Sequence, residues 1–326
     1  MAALPLINRH ADALRLRHGD RVWRLGLDGG FSCPNRLRVR ESGGCSYCAP
    51  GAARATYLPK GATSIAAQVE AGTAFLAQRY AAKLFLPYFQ AFSSTFAEVG
   101  ALRERYDEAL LAVRSGAPGA LRGLVVSTRP DCIDEEKAEL LASYARDGLE
   151  VWVELGLQSS HDRTLARIGR GHDYAAFLRA RELLARPGLR VAVHLILGLP
   201  GEGRDDMLET VSRIAALSLD GVKFHDLMIP RGSALAAEYM LGELSLMHSR
   251  RLPALLADCL ELLDPGCEII RLCSDARPAE ILAPRWRPDK TVVYLAVEAL
   301  LASRGSRQGS RRAGPMAIPR GSGYSL

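Results

Sequence analysis

The stretch LRVAVHLILGLPGEG, residues 189–203, decides the fold. Six of its first eight residues are apolar, three of them β-branched, which suits a buried strand. The glycines and proline that follow stop the strand, and residues 204–217 continue with a helical period. One strand, one tight turn and one amphipathic helix make a β/α unit. The same unit recurs outward in both directions. Strands are expected at 21–27 (RVWRLGL), 84–89 (LFLPYF), 122–127 (RGLVVS), 149–155 (LEVWVEL), 189–196 and 221–228 (GVKFHDLM). Helical patterns lie near 62–80, 98–114, 134–147, 161–185 and 204–217. Six such units in a row imply a parallel sheet with helices outside, as an open doubly wound sheet or a TIM-type barrel, with its chemistry just after the strand C-termini. After residue 240, helical stretches at 246–263 and 289–302 flank CEIIRLC (267–273), read as a cap on the same core.

The chain has 326 residues, 48% hydrophobic and 24% charged, enough for a substantial core. Its first twenty residues lack a signal-peptide core, and no apolar run is long enough to span a bilayer, so a cytoplasmic protein with no membrane partner is expected. In a reducing compartment seven cysteines speak for metal binding, catalysis or packing, not for disulfides. Net charge is +6. Residues 299–326 carry Arg304, Arg307, Arg311, Arg312 and Arg320 and no acid. Residues 304–326 therefore read as a basic, disordered tail, which either attracts a polyanion such as RNA or is merely solvated.

Three cysteines, Cys33, Cys45 and Cys48, fall within GGFSCPNRLRVRESGGCSYC (29–48), with eleven residues between the first two. A closed zinc site wants a fourth ligand. A 4Fe-4S cluster held by three thiolates leaves one iron open for a substrate or cofactor. Gly43 and Gly44 allow a tight wrap before Cys45. Spacing alone leaves iron-sulfur, zinc and incidental cysteines all open.

These cysteines, with Tyr47 before the last, resemble the cluster loop of radical S-adenosylmethionine (SAM) enzymes, although the usual family spacing places three residues between the first two. The long loop is similar to that of the Elongator catalytic subunit and its bacterial relatives. Together with YFQAFSSTFAEV (88–99), STRPD (127–131), ELGLQS (154–159), RGHD (170–173) and GLPGEG (198–203), it resembles YhcC/YtqA-type radical SAM proteins over residues 1 to about 290. The resemblance implies a partial (β/α)6 TIM-type barrel over 1–240 with a helical extension over 241–303. It also implies a 4Fe-4S cluster on Cys33, Cys45 and Cys48, whose open iron binds SAM. One electron, from a donor such as a flavodoxin or ferredoxin, then cleaves SAM to methionine and a 5′-deoxyadenosyl radical.

By the same resemblance Tyr47 lies near the adenine, Ser93, Ser94 and Thr95 face the methionine ammonium, and Gln158 and Arg170 touch the ribose and carboxylate. Tyr47 could equally shield the cluster, and Ser93–Thr95 could equally be helix N-caps. Glu154, inside a strand, needs a partner, with Arg129 or a SAM hydroxyl as candidates. His194 is a cofactor contact or a satisfied core histidine, and Ile196 on the same strand face is an adenine contact. Lys223, His225 and Arg231 are substrate candidates on the open side. Arg36, Arg38 and Arg40 face an anionic substrate or water. Cys132 is a hydrogen donor or a small buried hydrophobe, and Cys259, Cys267 and Cys273 are packing residues. The leading functional expectation is tRNA wobble-uridine modification. The rivals are a radical SAM enzyme with a small-molecule substrate and a non-catalytic metal-binding RNA module.

Overall fold

The computed structural model describes residues 5–38, 44–48, 55, 57–58, 64–117, 119–274, 278–285 and 289–312. Arg40, Gly43 and Arg320 lie outside these residues, as does the side chain of Arg38. The six expected strands are present: β1 (Val22–Leu27), β2 (Leu84–Phe89), β3 (Gly123–Thr128), β4 (Glu150–Gln158), β5 (Leu189–Leu197) and β6 (Gly221–Asp226). They pair in parallel in chain order. A short strand, β7 (Ile229–Pro230), follows. The CEIIRLC piece, expected as part of a helical cap, instead supplies β8 (Glu268–Arg271), a seventh parallel strand beside β6. A last strand, β9 (Ile281–Ala283), pairs antiparallel with β7.

The helices are α1 (His10–His18), α2 (Pro34–Arg38), α3 (Ile65–Tyr80), α4 (Val99–Gly116), α5 (Glu135–Arg146), α6 (Asp162–Arg167), α7 (Tyr174–Leu183), α8 (Arg204–Ala215), α9 (Ala234–Met240), α10 (Leu252–Leu262) and α11 (Lys290–Ser303). Several begin where the sequence supplies a cap. Asp134 accepts from Lys137 N at 2.9 Å, and Asp173 from Ala176 N at 2.7 Å. The stretch 161–185, expected as one helix, is broken into α6 and α7. Gly169 (φ 59°) and Gly171 (φ 77°) adopt left-handed conformations around Arg170 and end the first helix.

The sheet is curved into a partial barrel. Its outer face packs on the helices through the main core, with Leu102, Tyr106, Leu141, Phe177, Val211 and Leu256 fully or almost fully buried. The inner face encloses a second cluster of Leu14, Val22, Leu86, Tyr88, Trp152 and Ala192. Curvature shows in the reach of the side chains: Arg24 on β1 contacts Glu154 on β4, and Lys223 on β6 contacts Tyr88 on β2. Helix α1 had no sequence signal beyond a single buried leucine, yet it plugs the N-terminal end of this lumen. Arg17 and His18 bond Glu150 at the start of β4, Arg17 also bonds Glu268 at the start of β8, and the His10 ring meets Trp152 edge-on at 4.8 Å. No helix among the described residues is long and apolar enough to cross a membrane.

Residues 304–312 depart from the disordered tail expected of them. Arg304 bonds Asp258 (3.0 Å) and Glu261 (3.3 Å), Arg311 approaches Glu261 at 3.5 Å, and Arg312 pairs with Asp264. Gln308, 3% exposed, donates to the Asp264 and Cys267 carbonyls and accepts from Asn8 N. The arginines neutralise buried acids on and just after α10, so their charge is spent inside the fold. A chain ending at Ser303 is therefore expected to be less stable than one ending at Arg312 by about 2–4 kcal/mol, because Glu261 and Asp264 lose their cations and Asp258 keeps only Arg204. Urea unfolding of the two chains measures the difference, and equal midpoints would show these pairs to be dispensable.

Candidate active site

The C-terminal mouth of the sheet gathers the residues of interest. Cys33 follows β1 and directly precedes α2, whose Arg36 N–H bonds the Cys33 carbonyl at 3.0 Å. The turn bearing Cys45 and Cys48 is closed by Cys48 N on Cys45 O (2.9 Å). It is docked on both sides, by Ser46 N on Ile168 O (2.9 Å) and Leu235 N on Ser46 O (3.0 Å). Gly44, at φ 112°, takes the left-handed conformation expected of the wrap, and a Cβ there would lie 3.1 Å from Arg36 Cγ.

Cys45 is buried and surrounded by donors. Asn35 Nδ2 lies 3.2 Å from its sulfur, Arg170 Nη1 3.5 Å and Arg129 Nη1 4.0 Å. Burial pushes this thiol up, but Arg170, Arg129 and Asn35 together outweigh it and hold the pKa below that of an ordinary thiol. Burial dominates at Cys48 and raises its pKa, even though Arg36 Nη2 stands 3.6 Å from its sulfur. Arg36 also lies over the Phe92 ring at 4.8 Å. The Cys33 and Cys45 thiols both act electrostatically on Cys48. Among the described residues no three His, Cys, Asp or Glu side chains surround a single-ion position.

Arg170, 7% exposed, donates Nη2 to the Gly156 carbonyl, while its Nε has no partner among the described residues. Gln158 ends β4 at φ 82°, beside a register shift between Gly156 and Gln158. A Cβ on Gly156 would stand 2.7 Å from Arg170 Nη2 and 2.9 Å from Gln158 Nε2, so this glycine is what lets the two side chains meet. Gly171 does the same for Asn35 and Arg129, which a Cβ would approach to 2.7 and 3.3 Å. Tyr47 is partly buried, packs on the main core and has its hydroxyl pKa pushed up by burial.

Ser93, Ser94 and Thr95 are not helix caps, because α4 is capped at Glu98. Their hydroxyls are committed within the loop. Ser93 and Thr95 meet Thr128 at 2.8 and 2.6 Å, Thr95 donates to Cys132 O at 2.8 Å, and Ser94 donates to Ala91 O at 3.4 Å. Cys132 is buried and its thiol is pushed up to about 11, chiefly by burial. Cys259, Cys267 and Cys273 are buried in the main core, as packing residues should be.

The partner of Glu154 is not Arg129, which is clamped by Asp131 at 2.8 and 2.9 Å. Glu154 is fully buried in the lumen, where its carboxylate pairs with Arg24 and accepts from Tyr88 Oη (2.8 Å), His194 Nε2 (2.6 Å) and Lys223 Nζ (3.2 Å). Burial raises its pKa, but Arg24, Lys223 and His194 drive it well below the ordinary carboxylate value. Burial and Lys223 lower His194 to about 4, and burial lowers Lys223 to about 8. His225 sits 5.8 Å from the His194 ring, and Ile196 shares their strand face. Arg231 is exposed and bonds the Ala279 carbonyl on the β7–β9 ribbon, outside this group. Sequence reasoning missed Asn35, Arg24 and Tyr88. Only Arg24, a charge among alternating strand apolars, carried a local signal.

The family model for the radical SAM superfamily matches residues 39–214, and the Radical SAM C-terminal domain matches 219–302. Protein YhcC of Escherichia coli K12 is 38% identical over 96% of this chain and 98% of its own length. The structure of archaeal Methanocaldococcus infernus Elp3 lacking its N-terminus superposes with a TM-score of 0.65 at 18% identity, covering 88% of this chain and 63% of that one. Over 47% of this chain and 33% of its own length, a tRNA uridine(34) acetyltransferase of Dehalococcoides mccartyi is 28% identical.

Proposed function

Since the chain belongs to the radical SAM superfamily, whose cofactors are a 4Fe-4S cluster and SAM, we propose that Cys33, Cys45 and Cys48 hold that cluster for a reaction on tRNA wobble uridine. The observation that carries the cluster assignment is the set of donors on Cys45, because two guanidiniums and an amide beside a buried sulfur favour the thiolate that iron requires. A cubane takes one thiolate per iron, so its ligands need not converge on a single-ion position. When bound, the cluster supplies one electron and SAM the hydrogen-abstracting fragment. The chain's own part is positioning and exclusion of water. Asn35, Arg129 and Arg170 fix and charge-balance the Cys45 sulfur. The Arg170 Nε, partnerless among the described residues, and the Gln158 amide would orient a carboxylate and hydroxyls of SAM, and Tyr47 and Ile196 would supply apolar surface.

The tRNA part of the proposal leans on the partial similarity to the tRNA uridine(34) acetyltransferase. It no longer draws on Arg304, Arg311 and Arg312, which are paired internally. Anaerobic reconstitution with iron and sulfide, followed by SAM and dithionite, is expected to release 5′-deoxyadenosine. Wobble nucleosides of tRNA from cells with and without the protein are expected to differ in the substituent on C5. Release of deoxyadenosine with identical nucleosides would keep the radical chemistry and move the substrate to a small molecule. An assembled cluster that never cleaves SAM, even with bulk tRNA present, would remove the radical reading. An electron donor of the flavodoxin or ferredoxin class belongs to the same proposal.

A further inference from the structure

We propose that the lumen of the partial barrel binds a carboxylate carried on a slender arm of the substrate, with Arg271 and Lys223 as its anchors. The inference rests on reading the mouth of this lumen as the reaction site, and it names the chemistry that the substrate must present there.

The first observation is an imbalance of charge. Around Lys223 three cations meet, Arg24 from β1, Lys223 itself from β6 and Arg271 from β8, and the carboxylate in contact with Arg24 and Lys223 is Glu154 from β4. Glu150 and Glu268, at the N-terminal end of the lumen, are taken up by Arg17, His18 and His10. His194 and His225 do not add to this excess, since burial lowers the pKa of both and disfavours their cationic forms. Arg24 takes one oxygen of Glu154, and Lys223 lies 3.2 Å from the other. Arg271 has no hydrogen-bond or ion-pair partner among the described residues.

The second observation explains why Arg271 points inward. In the β6–β8 pairing, Val222 faces Ile269 but Lys223 faces Arg271, so Ile270 is an extra residue on β8. Such a bulge re-aims the side chain that follows it. Ile270 packs on the lumenal cluster, and Arg271 comes out on the same side as Lys223, where its charge reaches Lys223, His225 and Tyr88. Strand β8 is the last of the seven-stranded sheet; Asn8 and Arg9 meet its outer edge at Ile269 and Tyr294 of α11 lies near Arg271, but Arg271 and His225 are only half-buried, so the group is reached by solvent.

The shape of the site restricts the ligand. The anchors lie just below the mouth: Lys223 pairs with His194, and His194 with Gly156, two residues or about 7 Å below Gln158 on β4. A terminal anion on a short arm reaches that level, whereas a backbone phosphate, esterified on both sides, would have to bring the chain in with it. The planar fork of Arg271 beside a lysine ammonium matches a carboxylate, which would complete the charge balance that Glu154 alone leaves open.

Equilibrium dialysis of the reconstituted protein with SAM, using labelled butyrate, butyramide and inorganic phosphate as probes, tests the inference. Butyrate is expected to be retained and its neutral amide is not. Arg271→Ala should weaken butyrate retention by about tenfold or more, the size of a lost charge-assisted hydrogen bond, with Arg271→Lys in between and the exposed Arg105→Ala unchanged. Equal retention of butyrate and butyramide would overturn the proposal, as would butyrate binding indifferent to Arg271→Ala in a variant with wild-type near-UV circular dichroism. Phosphate held more tightly than butyrate, with the same dependence on Arg271, would overturn the carboxylate in favour of a terminal phosphate. Deoxyadenosine release from the same preparations separates the two readings. SAM cleavage without anion discrimination sinks the lumenal site alone, whereas anion discrimination without SAM cleavage sinks the radical reading and leaves the site standing.

Discussion

Glu154→Ala is expected to destabilise the protein by about 3–5 kcal/mol, the usual cost of removing one partner from a buried ionic network. Glu154 is fully buried, and four side chains from four different strands converge on it. Alanine would leave Arg24 and Lys223 facing each other and Arg271 across the lumen with no carboxylate between them. Glu154→Gln keeps the shape and much of the hydrogen bonding and should cost less. A triple change of Glu154, Arg24 and Lys223 to apolar residues should recover much of the loss, since a whole network exchanged for packing is often neutral. The sign of the pH dependence follows from the direction of the shift. The folded pKa of Glu154 lies well below the ordinary 4.5, so its contribution is present above that value and is lost only as pH falls towards the folded value. Wild type and Glu154→Gln should therefore differ by a constant amount from neutrality down to mild acid and converge in strong acid. Urea unfolding across that range provides the measurement, and a Glu154→Ala effect below about 1 kcal/mol would mean that water screens the lumenal cations.

The same network shows which parts of the molecule were legible in the sequence. The six β/α units were legible because a buried parallel strand reads as a short apolar run wherever it occurs. Strand β8 was not, since four residues ending in Arg271 carry no periodicity and lie between two helical stretches. The α6–α7 break lay in plain view as Gly169 and Gly171, but their left-handed backbone is set by the need to present Arg170, not by local pattern. The three cysteines stood out by spacing, and Glu154 by its implausibility in a strand. Of their partners, Arg129, Arg170, His194 and Lys223 were also legible, whereas Asn35, Arg24 and Tyr88 were not. Arg24 meets Glu154 only because the sheet curves β1 over β4, and no one-dimensional reading contains that curvature. Composition also misled at the C-terminus, where an arginine-rich, acid-free run looks unpartnered until Asp258, Glu261 and Asp264 are seen to face it from α10 and the turn after it.

Cys45→Ala is expected to abolish deoxyadenosine formation and to lower the iron bound per chain. Of the described cysteines, Cys45 has its thiolate most strongly favoured by its surroundings, and alanine would also leave Arg129 and Arg170 pointing at a space without a counter-charge. The loss should exceed about a hundredfold, because a missing iron ligand removes the reaction and does not merely slow it. A protein that had only lost stability would also fail this assay, so Asn35→Asp is the informative companion. It preserves the size of the side chain but turns the donor 3.2 Å from Cys45 into an acceptor, setting two negative charges against each other. Asn35 Nδ2 also donates to the Gly169 carbonyl at 2.6 Å, so urea unfolding of the iron-free chain reports that separate loss, and iron content should fall in Asn35→Asp by more than this loss of stability accounts for. If Asn35→Asp kept full iron and Cys45→Ala kept measurable turnover, the donors around this sulfur would be holding a buried thiol in place, and the cluster would have to be sought on other ligands.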